Sequence, residues 1–175
     1  NTESFFKFAI GEEIARTNNW TLLLDDHHTL RWSVIIPQVI INLFFSSSYT
    51  AYYITPILFF TAFSILCTLL NSSSNPWSLP NIALLVIISC DPMTHVMASQ
   101  LNSEGFGLFY AVTGFLLAHN YAISGRWQTL AGSALFLFLA YGAKAYFLLF
   151  AAGPLLYFIF LQRDYRAVTI FLGSF

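Results

Sequence analysis

Residues 49–70 read YTAYYITPILFFTAFSILCTLL. Coiled as a helix, this uncharged stretch extends about 33 Å, enough to cross the ~30 Å hydrocarbon core of a bilayer. A helix satisfies its backbone N–H and C=O groups within itself, which lipid demands of any segment it surrounds. The stretch therefore predicts an all-α protein for which water is not the main solvent. The rest of the chain agrees: hydrophobic residues make up 57% of its 175 positions and charged residues 9%, with a mean hydropathy of +0.67. Nineteen Phe, nine Tyr and four Trp suit lipid-facing surfaces and the interfacial belts where amphipathic rings settle. A formal net charge of -1 excludes an electrostatic nucleic-acid binder.

Downstream, a Ser/Asn/Pro-rich connection over Asn71–Pro80 leads to a second predicted span from Leu79 to Ala98. Ser103–Ile123 gives a third, Trp127–Tyr141 a short fourth and Tyr146–Leu161 a fifth, and a sixth begins near Ala167. Upstream, Leu30–Phe45 is apolar, but Arg31, Gln38 and Asn42 recur along one side and Pro37 interrupts it. As a helix it reaches only about 24 Å, which suits a segment lying in the membrane plane. Residues 3–17 place Phe6, Ile10 and Ile14 on one stripe and Glu3, Lys7 and Glu12 away from it, the pattern of a short amphipathic helix. Between these two helices the run Asn18–His28 is too polar for hydrocarbon and must face water or a cavity.

The predicted organisation is a polytopic transmembrane helical bundle. Residues 1–48 form a first outer loop with two interfacial amphipathic helices, and residues 49–175 form transmembrane helices. The chain opens on Asn1 and stops at Phe175 inside an apolar run, so it reads as a fragment whose first transmembrane helix and C-terminal part lie outside it. Arg126, Arg163 and Arg166 fall in alternate loops, which predicts a cytoplasmic face for them. The Asp25–His28 run, the Asn102–Glu104 turn and Lys144 then share the extracytoplasmic face. Cys67 and Cys90 lie inside apolar runs and read as small hydrophobes.

Ionisable groups at membrane depth are costly and mark function by default. Lys144 closes the apolar run Ala134–Ala143 and reads either as a lysine snorkelling to the interface or as a cation for a lipid phosphate. Glu104 opens a helix, where a carboxylate favours the helix dipole. Asp91, His95, Ser99, Gln100 and Asn102 make the preceding helical end unusually polar, as beside a wet cavity, and the four-residue spacing of Asp91 and His95 lets them share a face. Asp25, Asp26, His27 and His28 offer oxygen and imidazole ligands, although adjacent residues rarely all point at one ion. His119, near the inner end of its helix, reads as a structural hydrogen bonder.

The stretches ESFFKFAIGEEIARTNNW, HHTLRWSVIIP, CDPMTHVMASQLNSEGF and LFLAYGAKAYFLLFAAGPLLYF follow one another in this chain. In that order they resemble the polytopic GT-C glycosyltransferases, in particular the group that includes aminoarabinose transferases and protein O-mannosyltransferases. The resemblance implies transfer of a sugar from a polyprenyl-phosphate-linked donor to an acceptor lipid, glycan or protein on the extracytoplasmic side of a plasma or inner membrane. It implies a base at the start of the first outer loop, where Glu3 is the carboxylate that would take the acceptor proton and Asn1 occupies another possible register. It also implies substrate contacts from His27, His28, Arg31, Glu104 and Lys144, the lysine matching the family's cation near the outer membrane face. Some members use a divalent metal and others do not, so a divalent metal stays open, and no other cofactor is implied. Two other readings compete: a transporter or flippase segment with Asp91, His95, Glu104 and Lys144 along a polar pathway, and a noncatalytic subunit binding lipid or a partner. The interfacial helix pair favours the transferase, because enzymes acting on lipid headgroups need elements at the interface.

Overall fold

The computed structural model describes residues 2–24, 31–45, 49–71 and 78–175, and among these the chain is helical with no strand. Helix α1 spans Thr2–Thr17. It ends where Asn18 turns left-handed (φ 55°) and its N–H donates to the Ile14 carbonyl at 2.8 Å, a common helix stop for Asn. A 3-10 turn over Trp20–Leu24 follows. Helix α2 is Trp32–Phe45 and α3 is Tyr49–Asn71. Helices α4 (Leu79–Cys90), α5 (Pro92–Ser99) and α6 (Ser103–Ser124) come next. Then follow α7 (Trp127–Ala143), a 3-10 turn over Ala145–Phe147 and α8 (Leu148–Leu156). Helix α8 runs into a π-helical turn over Tyr157–Gln162, and α9 covers Tyr165–Ser174. Among the described residues, three segments are long and apolar enough to cross a membrane: Tyr49–Leu66, Ser103–Ser124 and Ala145–Gln162.

The chain divides into two compact units, Asn1–Phe106 and Gly107–Phe175. In the first, α1 packs along α2 around Ile14, Ile35 and Val39, with Ile10, Leu22 and Leu23 closing over them. Phe5 stacks on Tyr52 of α3 and Phe8 meets the same ring edge-on, so α1 is held by both α2 and α3. The face that α1 buries is Ser4, Lys7, Gly11 and Ile14. The predicted stripe through Phe6 is therefore rotated, for Phe6 is 39% exposed while Lys7 is 1% exposed. A lysine has joined the packed face because it finds anionic and carbonyl partners there. Polar side chains also line the buried side of α2: the Gln38 amide donates to Asn42 Oδ1 at 2.8 Å and to the Ala51 carbonyl at 3.1 Å.

The predicted second span is broken in two. Asp91 leaves the helix with an extended backbone (φ -72°, ψ 120°) between α4 and α5, because the ring of Pro92 disfavours helical geometry in the residue before it. Asp91 and His95 thus do not share one helix. They are joined by the His95 N–H donating to the Asp91 carbonyl at 3.2 Å, which opens α5.

In the second unit α6 and α7 approach closely: Ser133 Oγ donates to the Gly114 carbonyl at 2.7 Å and is fully buried. Small residues at a helix contact bring backbones together in this way where lipid offers no hydrophobic drive. Gly107 lies against the buried ring of Phe147, which stands 2.2 Å from where a Cβ would be. At the far end of α6, Tyr121 donates to Asp164 Oδ2 at 2.9 Å, and Asp164 Oδ1 caps α9 by accepting from the Ala167 N–H at 2.9 Å.

Candidate functional site

Glu3 and Lys7 are four residues apart on α1, with the acid nearer the N-terminus, the order that favours a helical ion pair. Lys7 Nζ lies 2.8 Å from Glu3 Oε1. The same ammonium donates to the Leu101 carbonyl at 3.1 Å and to Ser103 Oγ at 2.7 Å. Three partners for three N–H donors is a complete set for a lysine, which explains how it tolerates its burial. A buried charge without such partners is strongly unfavourable.

Arg31 stands just before α2, where its carbonyl accepts from Val34 (3.0 Å) and Ile35 (3.2 Å) and opens the helix. Its side chain, 18% exposed, reaches the same place: Nη1 pairs with Glu3 Oε1 and donates to Ser103 Oγ at 3.1 Å. Ser103 is the first residue of α6 and is fully buried. With Lys7 and Arg31 both donating to its oxygen, its own O–H remains to donate. Asn102 steadies this start of α6, its Oδ1 accepting from the Glu104 N–H at 3.1 Å.

The cluster therefore joins the first turn of α1, the start of α2 and the start of α6. Lys7 and Arg31 bring two cations to Glu3, with Glu104 in the same first turn of α6, and the Glu3 carboxylate, 36% exposed, is the most accessible of the three paired groups. Of the residues singled out from sequence, Glu3 and Arg31 meet here directly. Glu104 sits next to Ser103 in the first turn of α6, half-buried. His27 and His28 lie outside the described residues. Lys144 belongs to the second unit, where it caps the end of α7 and its Nζ stands 5.4 Å from the centre of the Tyr146 ring, a cation–π contact.

Lys7 and Ser103 were not singled out from sequence. The four-residue spacing from Glu3 was the signal for Lys7. Nothing local marks Ser103, whose role depends on a chain reversal some seventy residues from Arg31. His119 differs from its reading as a structural hydrogen bonder: it is exposed, and among the described residues no hydrogen bond to it is present. Cys90 is a free, exposed thiol, and the Cys67 side chain lies outside the described residues. Among the described residues no three His, Cys, Asp or Glu side chains gather as a metal ion would require. No family model, curated protein or solved structure matches the chain.

Proposed function

We propose that the chain is part of a multi-pass membrane glycosyltransferase that moves a sugar from a polyprenyl-phosphate donor to an acceptor hydroxyl on the extracytoplasmic side. The observation that carries the reading is the convergence of Glu3, Lys7, Arg31 and Ser103. A carboxylate for the acceptor proton and cations for a lipid phosphate, side by side, are what an inverting displacement at an anomeric carbon needs. Helices α1 and α2 are the interfacial elements that bring these groups to headgroup level, and α3, α6 and Ala145–Gln162 anchor them in the bilayer.

In this mechanism the acceptor oxygen attacks the anomeric carbon, its proton passes to Glu3, and the bond from that carbon to the phosphate oxygen breaks. The electron pair leaves with the lipid phosphate, whose growing charge is met by Arg31. A carboxylate bonded to two cations is a weak base at rest. An arriving donor phosphate competes for Arg31, the more exposed of the two cations, and so restores basicity to Glu3 when substrate is bound. Lys7 keeps the carboxylate oriented meanwhile.

The test is transfer of radiolabelled sugar from polyprenyl-phosphate donors by membranes containing the full-length protein. Glu3→Gln should lower the rate about 100-fold or more, as loss of a general base does, with the variant still inserted at normal levels. Undiminished transfer removes Glu3 as the base. Absence of transfer by the unaltered protein from every polyprenyl-phosphate sugar sinks the reading. A transporter or flippase segment is the second reading, and the break at Asp91–Pro92 is the observation that favours it, since discontinuous helices line transport sites. Donor-dependent sugar transfer by the purified protein would decide against it.

A further inference from the structure

The second unit contains a groove that sugar transfer does not use. It lies between the last turns of α6 and α8 with its π-helical continuation, has a volume of ≈ 320 Å³, and is lined by Phe115, Ala118, His119, Gly153, Pro154 and Tyr157. Apart from one imidazole and one phenol, its walls are aliphatic and aromatic. Gly153 keeps it open, for a Cβ there would stand 3.0 Å from Cε1 of Phe115.

Two backbone irregularities sit at one end of this groove. Pro154 cannot donate to the helical ladder of α8, and three residues on the chain widens into the six-residue π-helical turn Tyr157–Gln162. That turn stops at Arg163, which is held left-handed at φ 53°. A non-glycine residue seldom adopts that conformation, and both features gather at ligand sites.

The same end is basic. Arg126 follows His119 by seven residues, just past the end of α6, and Arg163 follows Tyr157 by six, at the end of the π-helical turn. Arg126, Arg163 and Arg166 are all exposed. The acid beside them, Asp164, accepts from Tyr121 and the Ala167 N–H and keeps its charge, so three arginines and one carboxylate leave this end at +2. Tyr121 also meets the ring of Phe158 edge-on at 5.4 Å, so the end of α6 and the corner carrying Arg163 are fastened together.

We propose that this groove holds one acyl chain of an anionic glycerophospholipid whose phosphate sits among Arg126, Arg163 and Arg166. A free anion would use the arginines and leave the apolar walls uncovered, and a zwitterionic lipid would fill the walls but gain little from three cations. An anionic phospholipid satisfies both, the glycerol and first chain carbons spanning the interval between cations and groove. Basic clusters at the cytoplasmic ends of membrane helices attract such headgroups. The inference rests on the membrane reading of α6 and Ala145–Gln162 and is independent of sugar transfer.

Native mass spectrometry of the full-length protein in neutral detergent tests it, with phosphatidylglycerol, phosphatidylcholine of the same chains and polyprenyl phosphate as probes. One phosphatidylglycerol per chain should be retained under activation that strips phosphatidylcholine. The Arg126→Gln, Arg163→Gln double variant should weaken that retention on the order of tenfold or more. His119→Trp, which fills the groove, should reduce retention of both phospholipids. Equal retention of the two lipids overturns the proposal, as does a preference that survives the double variant or retention unchanged by His119→Trp. Displacement of phosphatidylglycerol by equimolar polyprenyl phosphate also overturns it, because the groove would then belong to the donor lipid. Sugar transfer is not measured in any arm, so failure here leaves the transferase reading standing, and the reverse holds too.

Discussion

Two ion pairs on α1 show how much surroundings decide what a charge is worth. Arg16 forks onto Glu13, with Nη2 2.8 Å from both carboxylate oxygens. The pair is solvent-exposed, and its hydrogen bond and charge raise the Arg16 pKa above its ordinary value. Water screens such a pair, so Glu13→Gln should leave stability within measurement error. Lys7 is the opposite case, enclosed with three partners that each lose a donor if it is removed. Lys7→Met should cost about 2–3 kcal/mol, somewhat below the loss for a fully buried pair because Glu3 is partly exposed. Ser103→Ala should cost about 1–2 kcal/mol, since two cations lose an acceptor while keeping Glu3. Thermal denaturation of the detergent-solubilised full-length protein measures both. A Lys7→Met protein as stable as the unaltered one would show that the cluster does not hold α1, α2 and α6 together. Of this site, the acid and Arg31 were legible in the sequence, because charges stand out in an apolar chain. The buried partners were not, because a lysine on a helix normally faces water and only the fold reveals a carbonyl and a hydroxyl waiting for it.

Elements were legible to the extent that apolar length alone defines them. Tyr49–Leu66 and Ser103–Ser124 follow from their mean hydropathy over a spanning length, and Leu79–Ala98 does not, although Asp91-Pro92 stands in the middle of it. Hydropathy averages over a window and hides one residue pair, whereas a proline acts on the backbone of its neighbour. The buried face of α1 was missed for a related reason. Its small residues Ser4 and Gly11 are buried, Gly11 where Gln38 of α2 comes close, and a search for large apolar side chains passes over them. Close approach also fixes the start of the second unit. With a Cβ position 2.2 Å from the Phe147 ring, Gly107→Ala forces that buried ring or the helix to move, at a cost of about 1–3 kcal/mol. The double variant Gly107→Ala, Phe147→Leu should recover part of the loss by making room. Denaturation midpoints of the two variants check this, and additive losses would show that the ring is not what excludes the methyl.

At the scale of the whole molecule the transferase reading depends on sidedness. Helix α6 is 22 residues long, about 33 Å, which is long enough for its two ends to reach opposite faces of a bilayer. Ser103 and the cation cluster lie at its start, while Arg126 follows its end. Under the proposed reading, the arginines put that end in the cytoplasm and the cluster at the start on the outer face. Single cysteines in a background with Cys67 and Cys90 changed to Ser make this measurable in intact cells expressing the full-length protein. A membrane-impermeant maleimide should label Ser99→Cys and Ala145→Cys directly, and Ser124→Cys only after permeabilisation. All three positions are exposed, so lack of labelling reports the membrane and not burial. Labelling of Ser124→Cys and Ala145→Cys from the same face would mean that α7 does not cross, an outcome its 17 residues make worth testing, since that length reaches only about 26 Å. A full reversal would leave every helix in place and put the Glu3 cluster in the cytoplasm. It would refute extracytoplasmic transfer while preserving the cluster's chemistry, because the attraction between two cations and a lipid phosphate is the same on either side.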